Sequence, residues 1–466
     1  MLEDDRRSHP MVFYLRLRFT GELERTLLER SIDVATARHP LLRSVVQGEG
    51  DEARFVTAAQ QRPSVSWESD PNLDVAAESS PHDIHEEVGL RITVCQRDGK
   101  AILWLALHHV CCDGLGAMRF CEDLLIAYSN ETRGERVPLP VLDEGQLADR
   151  DVFSSSRAMQ WLRWPFEMLC MIGSLEYFLH RPLPLRGRAG GPPAVQDELA
   201  EHALTTFASC RREIDEESSR RLLQAARGEG VTVNDLLLRD LMIASQDWLE
   251  GESSEAVRGH VRVMVPVNLR TCLHDKMPAA NCVGMINVER RVYRWADPRR
   301  MLQVLAREMR VVKRLRLTVT MLRIIGAVRF FTGSLRRLQP VDRCLATCVL
   351  SNLGRAFHKS ALQTESGRLQ IGEVRLEQIE PLPPVRPWTG AGFGVVSYAG
   401  QMTISLLYDK QLLGPSGGEQ LLDRFVDRLN VSAQCDRRTA GSSDTVPGAG
   451  AAGEPLLTPG VGDAGG

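Results

Sequence analysis

No stretch of this 466-residue chain reaches about 18 uncharged apolar residues, so no transmembrane helix is predicted. The nearest approach, Phe166–Leu179, is interrupted by Glu167 and Glu176. An excess of charge is missing too: 57 Lys and Arg against 60 Asp and Glu leave −3. Phosphate-binding surfaces usually bring a clear basic excess, so nucleic acid is excluded as the expected partner. The 11 cysteines, spread from Cys95 to Cys435, form no CxxC pair. That excludes a disulfide framework and points to a reducing compartment. The first ten residues, MLEDDRRSHP, lack the apolar segment of a secretory signal. The expected location is therefore cytoplasmic, with association at a membrane periphery left open. No repeat at solenoid periods is present.

What is there is ordinary globular composition, 43% hydrophobic and 25% charged. At ~100–200 residues per domain the chain holds two to four domains' worth of sequence. Residues 13–19 alternate, with Phe13, Leu15, Leu17 and Phe19 on one face, which predicts a half-buried strand. A helix over 22–37 follows, with Leu23, Leu27, Leu28 and Ala35 inward, and ends at His39-Pro40 because the residue before proline leaves helical geometry. Strands at 90–98 and 101–107 flank the turn Arg97-Asp98-Gly99-Lys100, and a helix over 115–128 follows. Residues 181–193 hold four prolines and three glycines, the composition of a crossover between lobes. Helices are then predicted at 216–228, at 233–249 behind a Thr232 cap, and over 297–335. Strands are predicted at 261–267 and 344–350, with a hairpin of 393–398 and 402–408 and a closing helix over 418–429. The tail 439–466, with eight glycines and three prolines, is expected to be disordered. The expected division is a first lobe over 1–180, a linker over 181–199, a second lobe over 200–436 and a tail over 437–466.

The informative string is His108-His109-Val110-Cys111-Cys112-Asp113-Gly114, directly after the apolar run Ala101–Leu107. A histidine on a loop rooted in a sheet is well placed to act as a general base near neutral pH. Asp113 and Gly114 then bend the chain away, the glycine through tolerance of positive φ. Two histidines beside two cysteines also suggest a metal, but adjacent residues on one short loop rarely converge on an ion and no spaced ligand pairs accompany them, so no metal is expected. Cys111 or Cys112 as a nucleophile competes with the reading of a small buried apolar residue.

HHxxxDG resembles the signature of the CoA-dependent acyltransferase superfamily, which includes chloramphenicol acetyltransferase, nonribosomal-peptide condensation domains and wax-ester synthases. Arg38-His39-Pro40-Leu41-Leu42-Arg43 is similar to the RHxxLR stretch of condensation-type members. Thr232-Val233-Asn234-Asp235 resembles the TVND segment of the wax-ester group, as Ser351-Asn352-Leu353-Gly354 does its SNxxG-like residues. Val265–Arg270 resembles the strand that ends in a structural arginine. The resemblance spans residues 11–430. It implies an α/β fold of two pseudo-symmetric chloramphenicol-acetyltransferase-like lobes, each a mixed sheet flanked by helices, with a tunnel where they meet. It implies His109 as general base, His108 as a mainly structural neighbour, and Asp113 paired with Arg270 to hold the loop that ends at Gly114. The DFGWG motif of the plant branch is absent near Phe393-Gly394, so the oxyanion donors are sought in Asn234, Ser351 and Asn352.

The implied activity moves an acyl group from a thioester to a hydroxyl or amine. The implied co-substrate is acyl-CoA or a phosphopantetheine carrier, with no tightly bound cofactor. A free-standing condensation enzyme of nonribosomal-peptide or polyketide type, and a non-catalytic relative that binds a carrier or lipid, stand as alternatives. Residues 309–341 contain eight basic residues and no acid among Leu315, Leu317, Met321, Leu322, Ile324, Ile325, Phe330 and Phe331. That pattern is a solvated amphipathic face or a docking face for CoA phosphates, an acidic carrier protein or anionic lipid. With the apolar stretch Trp161–Leu179, usually core, it favours a hydrophobic substrate.

Overall fold

The computed structural model describes residues 2–57, 61–70, 72–78, 81–132, 136–153, 180–188, 190–191, 207–253, 257–291, 297–333 and 342–434. The stretch Trp161–Leu179, much of the crossover, Arg336, Arg337 and the glycine-rich tail lie outside the described residues. Among the described residues no helix is long and apolar enough to cross a membrane.

In chain order, β1 (Val12–Thr20) leads to α1 (Arg25–Ala37), and a short hairpin joins β2 (Ser44–Gln47) to β3 (Arg54–Thr57). Next come β4 (Ser64–Glu68), β5 (Leu90–Arg97), β6 (Lys100–His108) and α2 (Gly114–Thr132). Past the crossover lie β7 (Phe207–Ile214), α3 (Glu216–Gly228), α4 (Val233–Glu252), β8 (His260–Asn268) and β9 (Val283–Arg291). Helices α5 (Pro298–Arg314) and α6 (Leu317–Thr332) precede β10 (Cys348–Arg355), β11 (Gln370–Ile371) and β12 (Val374–Leu382). The chain ends in β13 (Ala391–Tyr398), β14 (Gln401–Asp409) and α7 (Gly417–Gln434).

Two mixed six-stranded sheets result, ordered β11-β12-β1-β6-β5-β4 and β7-β14-β13-β10-β8-β9. Each has its own apolar core, one around Leu15, Leu105, Phe120 and Leu124, the other around Trp248, Phe393, Leu406 and Phe425. Each lobe also contains an antiparallel hairpin followed by a helix: β5–β6 and α2 in one, β13–β14 and α7 in the other. Two-residue turns close both hairpins, with positive φ at Asp98 and Gly99 and at Ala399 and Gly400, the conformation that matches strand twist.

Several sequence expectations change here. The strand over 13–19 is not half-buried. Because β12 and β6 flank β1 on both edges and the strand is covered on both faces, even Arg16 is buried. Its guanidinium pairs with the fully buried Glu380 of β12 and lies 4.6 Å over the Trp104 ring. The first sheet therefore draws β11 and β12 from beyond residue 200, and the lobes do not divide at the crossover alone. The helix predicted over 297–335 is two helices, broken at Arg316, whose φ of 51° is left-handed. The strand near 344–350 runs four residues further along, so Ser351 and Asn352 lie inside β10 rather than capping its end.

Candidate active site

Strand β6 is buried along its length from Ala101 to His108, which fixes the base of the loop that follows. Within this loop the two histidines have different surroundings. The Val110 N–H points at His108 Nδ1 across 3.3 Å, so Nε2 carries the proton and donates to Asp5 Oδ2 at 3.1 Å. Both ring nitrogens of His108 are thus engaged, and its side chain is fully buried.

His109 sits at the junction of the lobes. Its N–H donates to the Met11 carbonyl at 2.7 Å, and its ring lies 5.1 Å, centre to centre, from Phe13. Across the junction, Asn281 Nδ2 donates to the His109 carbonyl at 2.6 Å and stands 3.2 Å from Nδ1. The Val283 N–H donates to Asn281 Oδ1 at 3.2 Å, which sets the amide the right way round. Burial pushes the His109 pKa below the usual imidazole value, with a hydrogen bond to its own backbone and the Asp113 charge pulling partly back. Only Nδ1 can reach that backbone carbonyl. With its proton there, Nε2 carries a lone pair.

Asp113 binds the loop to the second lobe. Its carboxylate takes a two-pronged contact from Arg270, Nη1 to Oδ2 at 2.7 Å and Nη2 to Oδ1 at 2.9 Å. It also accepts the N–H groups of Gly116 at 2.9 Å and Cys282 at 2.8 Å. Arg270 Nη2 donates further to the Ala280 carbonyl at 2.8 Å. Bidentate, charge-assisted contacts of this kind fix orientation as well as adding energy.

Gly114 does not serve the loop through positive φ. A Cβ there would meet Leu353 Cδ2 at 2.4 Å, so the missing side chain admits the second lobe. Gly116 does the same against the Ala280 backbone oxygen at 2.9 Å. Cys111 and Cys112 are fully buried, and burial pushes the Cys111 thiol up to about 12 and Cys112 well above its ordinary value. A thiol held so far from its thiolate is a poor nucleophile.

Asn234, in the first turn of α4, and Asn352 of β10 come together, with Asn352 Nδ2 3.5 Å from Asn234 Oδ1. Ser351 is half-buried beside them, and Leu353, next along, is the residue packed on Gly114. Among the described residues no hydrogen bond joins these three to His109.

Sequence reasoning missed Asn281 and Asp5, and read His39 only as a helix end. His39 is fully buried, with Nε2 3.2 Å from Asp123. Asn281 had a signal, as the lone amide in the otherwise apolar run Met277–Val283. Asp5 had none, because its contact with His108 spans 103 positions.

Residues 2–144 match the family model described as Condensation domain, and residues 279–431 match the WS/DGAT C-terminal domain. The chain has the fold and the family matches of the CoA-dependent acyltransferase superfamily. Members of both matched families are transferases that form acyl or amide linkages. Within this superfamily, the nonribosomal peptide synthetase TES of Alternaria alternata is 24% identical over 249 residues, 48% of this chain. The chain spans only 4% of that synthetase's length. Among solved structures, the first condensation domain of the calcium-dependent antibiotic synthetase superposes with a TM-score of 0.64 at 14% identity, covering 92% of each chain. SgcC5 of Streptomyces globisporus gives 0.62 at 15%, over 91% of this chain and 92% of its own. Polyketide synthase associated protein 5 of Mycobacterium tuberculosis gives 0.53 at 15%, over 91% and 94%.

Proposed function

We propose that this protein transfers an acyl group from a thioester to a hydroxyl or amine, with His109 as general base. The observation that carries this reading is the setting of one imidazole. Its Nδ1 side is taken up by its own carbonyl and Asn281, and its pKa is lowered by burial. In the proposed reaction Nε2 takes the acceptor's proton as the acceptor attacks the thioester carbonyl. The tetrahedral oxyanion is held by donors for which Asn234, Ser351 and Asn352 are the candidates. A single such donor is worth about 2.7–4 kcal/mol where it has been measured in another enzyme. As the C–S bond breaks, His109 returns the proton to the departing thiolate. Donor and acceptor reach the ring from opposite mouths of a channel between the lobes, so much of the rate gain is positional.

The donor is acyl-CoA or an acyl group on a phosphopantetheine carrier, and the condensation-domain match over 2–144 supports including the carrier. A hydrophobic acyl group fits an exposed apolar feature. On α6, Phe330 and Phe331 are 83% and 84% exposed, and Arg323 and Arg329 lie on the same helix. We propose that this end of α6 meets an anionic lipid surface, whose charge complements a stretch without an acid.

Thiol release measured with a panel of acyl-CoAs and with loaded carrier protein tests the reading. Turnover lost by a factor of about 10²–10⁴ in His109→Ala, and retained in Cys111→Ala, supports it. Turnover with carrier only assigns the condensation alternative. No release with any donor, alongside carrier or lipid binding, overturns catalysis. Sedimentation with phosphatidylserine vesicles, lost in Phe330→Ser/Phe331→Ser, tests the lipid contact.

A further inference from the structure

Where the chain emerges from the crossover, His180 lies flat against His260, the first residue of β8. The ring centres are 4.3 Å apart and the planes differ by 12°. His180 Nδ1 is 2.8 Å from Glu289 Oε1 on β9, and His260 Nε2 is 4.0 Å from the same oxygen. One nitrogen from each ring and one carboxylate oxygen all lie within 4.8 Å of one another.

The strand register produces this grouping. Arg262 stands opposite Glu289 across the β8–β9 pair, and His260 lies two residues before Arg262, hence on the same face. Arg262 is buried, and its Nε donates to Glu289 Oε2 at 2.7 Å. It also donates to the Leu345 carbonyl at 3.1 Å and the His180 carbonyl at 3.3 Å. One carboxylate oxygen is thereby fixed and the other turned toward the imidazoles. A pocket of about 510 Å³ opens over the group, bordered also by Arg290, Arg291 and Glu308. Arg290 is paired with Glu308. The site is remote from His109: β8 runs from His260 to Asn268, roughly 26 Å at 3.3 Å per residue, before Arg270 is reached.

We propose that His180, His260 and Glu289 bind a divalent transition-metal ion of the zinc type, with the fourth position open to the pocket. Two imidazoles and one carboxylate suit zinc better than magnesium or calcium, which take oxygen ligands. Three protein ligands with an open fourth position is a recurrent zinc arrangement. Arg262 holds the ligating carboxylate from behind, as outer partners of metal ligands do. Rings stacked this closely cannot both be charged without repulsion. Burial, with the neighbouring His180, Arg291 and Arg262 charges, lowers the His260 pKa against the pull of Glu289, so this ring presents a lone pair. The ion takes the place of the proton between His180 Nδ1 and Glu289 Oε1. Zinc–ligand bonds of ~2.0–2.1 Å put tetrahedral ligand atoms ~3.3 Å apart, so the present spacings need only small side-chain adjustments. Arg291 at the rim favours an anion as the fourth ligand. Bound metal would clip the end of the crossover to the edge strand of the second sheet.

The test is metal titration of the full chain after chelator treatment, using Zn²⁺ for stoichiometry and Co²⁺ as a spectroscopic probe. One equivalent is expected to bind at micromolar concentration or below, with a tetrahedral Co²⁺ absorption band. His180→Ala, at an exposed position, and Glu289→Gln are each expected to weaken binding at least tenfold and abolish the band, while Cys272→Ser leaves both unchanged. Unchanged wild-type affinity in His180→Ala and His260→Ala overturns the proposal. So does saturation only at millimolar metal, the mark of an adventitious ion. Acyl transfer is not the readout, so this site and the acyl-transfer reading stand or fall separately.

Discussion

His39 Nδ1 accepts the Ala279 N–H across 2.8 Å, joining the end of α1 to the loop two residues ahead of Asn281. His39 Nε2 faces Asp123 of α2, which also receives Arg38 Nε at 2.6 Å. The first lobe thus holds the second-lobe loop whose amide reaches back to His109. Protonating His39 at Nδ1 would remove the acceptor for Ala279. Desolvation keeps its pKa low despite the pull of Asp123.

Asn281→Ala is expected to lower kcat with little change in KM. The lost contact is one hydrogen bond, about 0.5–1.5 kcal/mol, or roughly a two- to tenfold rate loss. Steady-state kinetics checks this, and Asn281→Gln should not restore the rate, because its longer side chain misplaces the amide.

Asp113→Asn should cost stability more than chemistry. It leaves Arg270 largely buried without its carboxylate, a loss of about 3–5 kcal/mol when such a pair is broken from one side. Urea unfolding measures it, and Arg270→Ala should be non-additive with Asp113→Asn because the two share one interaction.

Gly116→Ala should be more damaging than Gly114→Ala. A Cβ at Gly116 meets the Ala280 backbone oxygen at 2.9 Å and nitrogen at 3.0 Å. Overpacking of this kind costs about 1–3 kcal/mol, and the shift would carry Asn281 away from His109. At Gly114 the obstacle is the end of the Leu353 side chain, which can turn aside. Gly114→Ala should therefore be relieved by Leu353→Ala, whereas Gly116→Ala should not; melting temperatures and kcat separate the cases.

The pH dependence follows from His109. Its pKa is lowered, so the neutral, proton-accepting form persists below the ordinary imidazole value of 6.5. kcat/KM should be flat around neutrality and fall on the acid side with an apparent pKa under 6.5. Stability should weaken in the same direction. His82, held down to about 4, and His9, held down to about 3, take up protons on unfolding as pH drops below 6.5. Urea midpoints at pH 7.5 and pH 5 check that sign.

Much of the fold was legible in local pattern. The hairpin of β5 and β6 shows as two apolar runs about Asp98-Gly99, and α4 opens with Thr232 and Asp235 in a reciprocal cap that the structure contains. The catalytic-type loop was legible because its residues are consecutive. What was not legible is nonlocal. Alternation in β1 indicated one wet face, but the burial of Arg16 depends on Glu380, 364 positions away. The strands β11 and β12 carry no local sign that they complete the first sheet. Gly114 suggested a turn, while its use lies in the approach of Leu353.

By itself, the sequence determined which segments are strands and helices and which loop carries a histidine after a buried strand. Short-range sterics, capping and hydrophobic periodicity act within a few residues, so they are written locally. It also determined that only one of the two hairpin-then-helix units is armed, since the loop from Asp409 to Gly417 has no histidine. Tertiary structure alone decided that Asn281, Arg270 and Cys282 meet the 108–114 loop, and that His180 meets His260 and Glu289. Those contacts join residues far apart in the chain, and only the packing of two separate cores against each other brings their polar groups within hydrogen-bonding range.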